Sequence, residues 1–301
     1  MASILLLLGC LLAGAVLKRI PGFPAQAHQG LNAFIIYLSL PSLTLLYIPK
    51  LSLEVALLYP VGLAWLVFLL GMFLFRLIGE VFNWDPKTQA CLMLCAGLGN
   101  TSFIGFPLIT QFYGEDGLVY AILCDQPGSF LALSTLGMGI LAFYSGGKPS
   151  LPQILKQVIR FPPFTAFLIS ICLVPFGGLP KVFHPMLEAL GGCLTPLALV
   201  SIGLQLTLPR QRFPWQSLGV GLGYKLLLAP ALIYGLYAGI LNQQGLMIDV
   251  SVLEAAMGPM ITPTILVMEK DLNRPLAGLL IAVGIPLSLI TVYAWHAFLA
   301  A

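Results

Sequence analysis

Residues Gly97 to Gln111 read GLGNTSFIGFPLITQ. They lie in an apolar segment, about Lys87 to Tyr113, that is long enough to cross a bilayer at roughly 20 residues per span. Yet the stretch holds three glycines, Pro107, and Asn100, Thr101 and Ser102 in a row. An uninterrupted membrane helix needs none of these. Pro107 removes a backbone donor and crowds the turn before it, and the glycines weaken the helix further. In hydrocarbon each freed backbone group costs several kcal/mol unless it meets protein or water. The stretch therefore predicts a broken helix lining a polar cavity at mid-membrane depth; a kinked helix packed through small residues is the competing reading. A second segment decides between them. Met257 to Thr264 reads MGPMITPT, again inside an apolar run (about Ile248 to Met268), and Pro263 lies 156 positions after Pro107. Discontinuous helices at corresponding positions of two halves point to the binding site of a secondary transporter.

Composition agrees with a membrane protein. The chain has 301 residues, 59% hydrophobic and 8% charged, with a mean hydropathy of +0.98. Soluble domains carry about 25% charged residues, and no soluble core absorbs this much apolar surface. No basic patch with interleaved aromatics suggests a nucleic-acid partner. The six cysteines lie almost all inside apolar runs, and Cys91 and Cys95 have no second pair or histidine cluster beside them, so no metal site is expected. The N-terminus has no Lys or Arg before its apolar run and reads as a first span, not a signal peptide.

The apolar runs predict ten spans, at about 2–19, 27–48, 54–78, 87–112, 117–144, 161–177, 184–208, 214–240, 248–269 and 274–299. Eleven of the 14 Lys and Arg residues fall in the loops after the odd-numbered spans. Only Lys50 and Lys181 fall on the other side, and Lys225 lies inside span 8. This asymmetry puts the basic loops in the cytoplasm and both termini outside it. Pairs of like residues recur at near-constant offsets: Pro41 and Pro196, and Gly22 and Gly177, are 155 apart, and Ala121 and Ala277 are 156 apart. Five spans per half force opposite orientations, the inverted-topology repeat of many carriers. The expected fold is thus an all-α integral membrane protein of two inverted five-helix repeats, 1–144 and 161–301, joined by a basic linker at 145–160, with helices 4 and 9 broken.

Polar groups within spans are functional candidates by default. Asn100, Thr101 and Ser102 at the first break, and Gly258 and Thr262 at the second, are the candidate substrate contacts. Two broken helices that cross would aim half-helix N-termini at one point. Their free N–H groups and positive dipole ends suit an anion such as a carboxylate. A purely capping Asn100 is the plainer reading. Asp125, roughly 12 Å into span 5, must pair, bind a cation or take up a proton, which makes it the leading candidate for ion coupling. Glu254 sits some 9 Å into span 9. Lys225 lies deep in span 8, where it needs a partner carboxylate such as Asp125 or Glu254, or else snorkels to an interface. No HExxH, nucleophile elbow or phosphate loop is present.

GNTSFIGFPL in span 4, MGPMITPT in span 9 and ten spans in inverted halves resemble the auxin efflux carrier family. That family includes bacterial permeases for malate or other organic anions and the plant PIN carriers. The resemblance covers the whole chain. It implies helices 4 and 9 crossing at Pro107 and Pro263, with Asn100 as a substrate contact and Asp125 at an acidic position common in bacterial members. It also implies a scaffold of helices 1, 2, 6 and 7, a transport domain of helices 3–5 and 8–10, an elevator-like cycle, and homodimers through the scaffold. The short Ser145–Arg160 segment departs from the long central loop of the plant carriers and argues against auxin as substrate. The expectation is a secondary transporter of small organic anions in the plasma (inner) membrane, with no cofactor and with H+ or Na+ as coupling ion. The bile acid–sodium symporters share the ten-span plan, so a sodium-coupled symporter is the nearest alternative. An intramembrane enzyme or a channel stands further off, since all three histidines lie near span ends.

Overall fold

The computed structural model of the chain describes residues 2–52, 54–147, 151–206 and 214–301. Of the basic residues counted above, Lys148, Arg210 and Arg212 lie outside the described residues. The described residues are helical nearly throughout and contain no strand. We number the helical elements α1 Ala2–Leu17, α2 Ala27–Lys50, α3 Val55–Val81, α4 Pro86–Cys95, α5 Thr101–Tyr144 and α6 Leu151–Arg160. They continue with α7 Pro162–Phe176, α8 Lys181–Gln205, α9 Trp215–Ile240, α10 Leu246–Ala255, α11 Ile261–Glu269 and α12 Arg274–Leu299. Among the described residues, α2, α3, α5, α8, α9 and α12 are long and apolar enough to cross a membrane, and the bent pair α6–α7 makes a seventh if counted as one span. This is a multi-pass integral membrane protein. By contrast α4 and α10 have ten residues each, a rise of about 15 Å against a hydrocarbon core of roughly 30 Å.

Several long helices contain π-helical turns: 35–39 in α2, 101–105, 124–130 and 133–137 in α5, and 224–228 and 235–240 in α9. Such turns insert a residue into the helical ladder and recur at functional sites. α5 is also interrupted at Gly114, whose φ of 66° and ψ of −154° suit glycine alone. The expected linker 145–160 holds a helix, α6. Leu151, Leu155 and Ile159 recur at helical spacing along it and are exposed, while Val158 is buried. α6 meets α7 at 72°.

The chain divides into two compact units. The first comprises residues 1–55, 102–122 and 157–206. Here α1 lies along α8 with their backbones in contact: a Cβ on Gly14 would sit 2.2 Å from the Val200 carbonyl oxygen, and one on Gly203 would sit 2.2 Å from that of Leu11. Small residues permit this approach, and close packing is what holds helices together where lipid is as apolar as leucine. The Ser201 hydroxyl donates to Asn32 Oδ1, and Ser170 Oγ donates to the Thr44 carbonyl at 3.2 Å, tying α7 to α2. Lys18 Nζ donates to the Leu206 carbonyl at 2.9 Å, just past the C-terminal end of α8, where a cation meets orphan carbonyls.

The second unit comprises residues 56–101, 123–156 and 207–301. α4 runs through its core, with every residue from Thr88 to Cys95 buried. Asp85 caps α4, accepting from the Thr88 N–H at 2.6 Å. Asn273 caps α12, accepting from the Leu276 N–H at 3.2 Å, and its amide donates to Thr88 Oγ1 at 2.7 Å. One side chain thus joins two helix starts. Tyr224 packs edge-to-face on Phe75 at 5.1 Å and its hydroxyl donates to the Val67 carbonyl. Trp65 Nε1 donates to the Pro127 carbonyl at 3.0 Å.

Candidate functional site

The two breaks meet within the second unit. After α4 ends at Cys95, the Ala96 and Gly97 N–H groups both donate to the Leu92 carbonyl, at 2.9 and 3.2 Å, closing the helix. Gly97 admits no side chain: its Cβ would lie 2.2 Å from the Met93 carbonyl oxygen. The chain then extends and pairs with the second break. Asn100 N–H donates to the Gly258 carbonyl at 2.8 Å, and Met260 N–H donates to the Leu98 carbonyl at 3.2 Å. Gly99 and Pro259 form the antiparallel bridge between these bonds. Pro107 and Pro263, the expected crossing residues, lie inside the helices that follow, Pro263 in the first turn of α11. The backbones join at Gly99 and Pro259 because one has no side chain to hold the strands apart and the other has no N–H to leave unpaired.

Around this bridge stand the three buried Asp, Glu, Lys or Arg side chains found among the described residues: Asp125 at 3% exposure, Glu254 at 0% and Lys225 at 1%. Asp125 lies in the π-helical turn 124–130, and its Oδ1 accepts from Thr101 Oγ1 at 2.6 Å. Thr101, expected to face substrate, thus donates its hydroxyl hydrogen bond to the Asp125 side chain. Lys225 lies in the π-helical turn 224–228 and donates to the Ala255 carbonyl at 2.9 Å, at the last residue of α10. It neither snorkels nor meets a carboxylate within ion-pair distance, though Glu254 acts on its charge. Glu254 in turn feels both Asp125 and Lys225, and neither of its carboxylate oxygens has a hydrogen-bond partner among the described residues.

The other candidates separate. Asn100 is buried at the bridge. Gly258 faces α12: a Cβ would lie 2.8 Å from Ser288 Oγ, so its missing side chain serves packing as well as the carbonyl it offers to Asn100. Thr262 is exposed, whereas Thr264 is buried and donates to the Met260 carbonyl at 2.8 Å. Ser102 and Pro107 belong to the first unit, where both are buried. No side chain caps the N-terminus of α11. Its first-turn N–H groups carry the positive end of the helix dipole beside Asn100 and suit an anion.

Sequence reasoning overlooked two groups here. The Ala255 carbonyl is backbone and carries no residue signal. Gly99 reads as a helix breaker, yet its Cβ would sit 2.8 Å from Lys225 Nζ. It also overlooked a cavity of about 320 Å³ in the first unit, lined by Tyr47, Thr110, Glu115, Glu188 and Thr195 among others. Lys50 approaches Glu115 at 3.8 Å. Two carboxylates in its lining suit that cavity poorly to an anion. Among the described residues no cluster of His, Cys, Asp and Glu could hold a metal ion.

Known proteins resemble this chain in sequence. A family model described as membrane transport protein matches residues 1–296. The chain is 30% identical over 308 residues to a protein of Methanothermobacter thermautotrophicus named an uncharacterised transporter, covering 99% of this chain and 97% of that one. It is 29% identical to a Methanocaldococcus jannaschii protein of the same description, over 92% of each chain. It is 26% identical to a provisionally named malonate transporter of Rhizobium meliloti, over 75% of this chain and 72% of that one.

Proposed function

This chain belongs to the auxin efflux carrier family of membrane transport proteins, and from that premise we propose that it is a secondary active transporter of small organic anions such as carboxylates. The observation that carries the reading is the pair of joined breaks: an uncapped helix start at α11 lies beside buried Asn100, with three ionisable groups behind it. Half-helix N-termini attract the anionic group of a substrate, and carboxylates nearby take the coupling ion. The name of the Rhizobium meliloti relative favours a dicarboxylate.

In this reading ten spans form two inverted repeats, and alternating access proceeds by an elevator-like movement of expected spans 3–5 and 8–10 (54–144 and 214–299) against a scaffold of expected spans 1, 2, 6 and 7. The scaffold also forms a homodimer. The protein resides in the plasma (inner) membrane with both termini outside the cytoplasm, as the distribution of Lys and Arg supports. Asn100 and the α11 N-terminus hold the anion, and Asp125 and Glu254 carry the coupling ion, H+ or Na+.

The test is uptake of labelled malonate, malate and succinate into proteoliposomes, under a pH gradient and separately under a sodium gradient, with Asp125→Asn beside the wild type. Gradient-driven flux with trans-stimulation, and loss of the driving but not of exchange in Asp125→Asn, is the expected result. No flux of any carboxylate from correctly folded protein would overturn the substrate class.

A further inference from the structure

We propose that Lys225 is a tethered cation: its ammonium occupies the place an alkali metal ion would take at the C-terminal end of α10, so that of the two coupling ions named above H+ remains, and the protein neither binds nor requires sodium. The inference rests on the carrier reading only for its consequence, and its test needs no substrate.

α10 stops at Ala255 inside the second unit, and Glu254, Ala255, Ala256 and Met257 are all fully buried. The last carbonyls of a helix lack helical donors and carry its negative end. In hydrocarbon they need a partner, and in broken transporter helices such ends and unwound carbonyls coordinate the coupling cation. Here the partner is the Lys225 ammonium, 2.9 Å from the Ala255 oxygen.

The surroundings hold the ammonium in place. A Cβ on Gly99 would fall 2.8 Å from Nζ, 3.2 Å from Cε and 3.4 Å from the Glu254 carbonyl oxygen, so the first break lies directly against the amine, and a side chain at position 99 would have to push it aside. Both neighbours of Lys225 are pinned: Tyr224 by its bond to the Val67 carbonyl, and Leu226 by Trp295 Nε1, which donates to its carbonyl at 3.1 Å. Glu254, fully buried with both side-chain oxygens lacking a hydrogen-bond partner, lies near enough to act on the charge of the amine. An ammonium offers one positive charge and three donors to oxygens; a sodium ion offers one positive charge to oxygens. The two compete for one carbonyl end, and like charges held there together would repel strongly in a low-dielectric interior.

The experiment follows thermal unfolding of the purified full chain in detergent as NaCl replaces choline chloride at constant ionic strength, for wild type, Lys225→Ala and Lys225→Met. The wild type should melt at one temperature in all mixtures. Lys225→Ala should melt lower in choline and recover in sodium along a saturating curve, as single-site linkage requires. Lys225→Met fills the space and should melt lower without recovering. A saturable sodium shift in the wild type, or Lys225→Ala as stable as wild type in choline, overturns the proposal. Should the variants fail to fold, radiolabelled sodium binding to the wild type decides: no saturable binding is expected, and binding near one ion per chain refutes it. Absent carboxylate flux would sink the proposed function and leave these readouts untouched.

Discussion

The bond from Thr101 to Asp125 offers a measurable anchor for the site. At 2.6 Å, between a hydroxyl and a carboxyl group that are both buried, it is among the stronger hydrogen bonds available to a side chain. Thr101→Val keeps the shape and removes the donor. Hydrogen bonds to charged groups contribute about 1.5–3 kcal/mol, so the substitution should cost about 2 kcal/mol, close to a thirtyfold shift in the folding equilibrium. Asp125→Leu should also destabilise, by leaving the Thr101 hydroxyl without its acceptor. Replacing both partners by apolar groups removes the unmet demand from each side. The double variant should therefore lose less than the two single losses added, by about 1.5 kcal/mol or more. Reversible unfolding in mixed micelles of increasing SDS content gives the four free energies of the cycle. Additivity within about 0.5 kcal/mol, the behaviour of independent sites, would refute the claim that this bond holds the π-helical turn 124–130 to the first break.

Gly203→Ala should cost about 1–3 kcal/mol by overpacking, because its Cβ would press on the Leu11 carbonyl oxygen at 2.2 Å and backbone cannot rotate away; the same unfolding assay reads it, and a neutral result would mean that α1 and α8 do not touch there. Asn273 has a left-handed backbone, φ 59°, and caps α12, so Asn273→Ala should lose about 1 kcal/mol or more while Asn273→Gly loses less, since glycine tolerates that conformation and substitutes well at a cap. Equal losses would show that the side-chain bonds matter and the backbone strain does not.

Much of the helical layout is legible from apolar run length alone. The run at 274–299 is helix α12 over the same residues, and the run at 54–78 is α3 at Val55–Val81. The interruption within Gly97–Gln111 is legible too, because glycine, proline and polar residues conflict with an apolar helix. Its position is not: the irregular backbone spans only 96–100, while Pro107 sits inside regular helix. Proline in a later turn removes a donor that neighbouring groups compensate, so a proline marks a weak place without locating the gap. The π-helical turns that carry Asp125 and Lys225 leave no trace in composition, since a one-residue insertion in the ladder changes no periodicity over so short a window. Helix α6 escapes notice because ten residues with five aliphatic positions resemble a basic loop when charge alone is counted. The partner of Lys225 is a main-chain oxygen, and no side-chain pattern announces which carbonyl a helix end leaves open.

The bridge at Gly99 and Pro259 has a consequence for exchange with solvent. Irregular backbone in a helical protein usually gives up its amide protons first, because its hydrogen bonds open singly. Here the Asn100 and Met260 amides are bonded across two chain segments and buried, and releasing either leaves groups of both segments unpaired in a low-dielectric interior. These two protons therefore exchange only when both breaks part together. The least regular backbone of the second unit becomes one of its slowest to open, and the residues on either side of it keep a common clock.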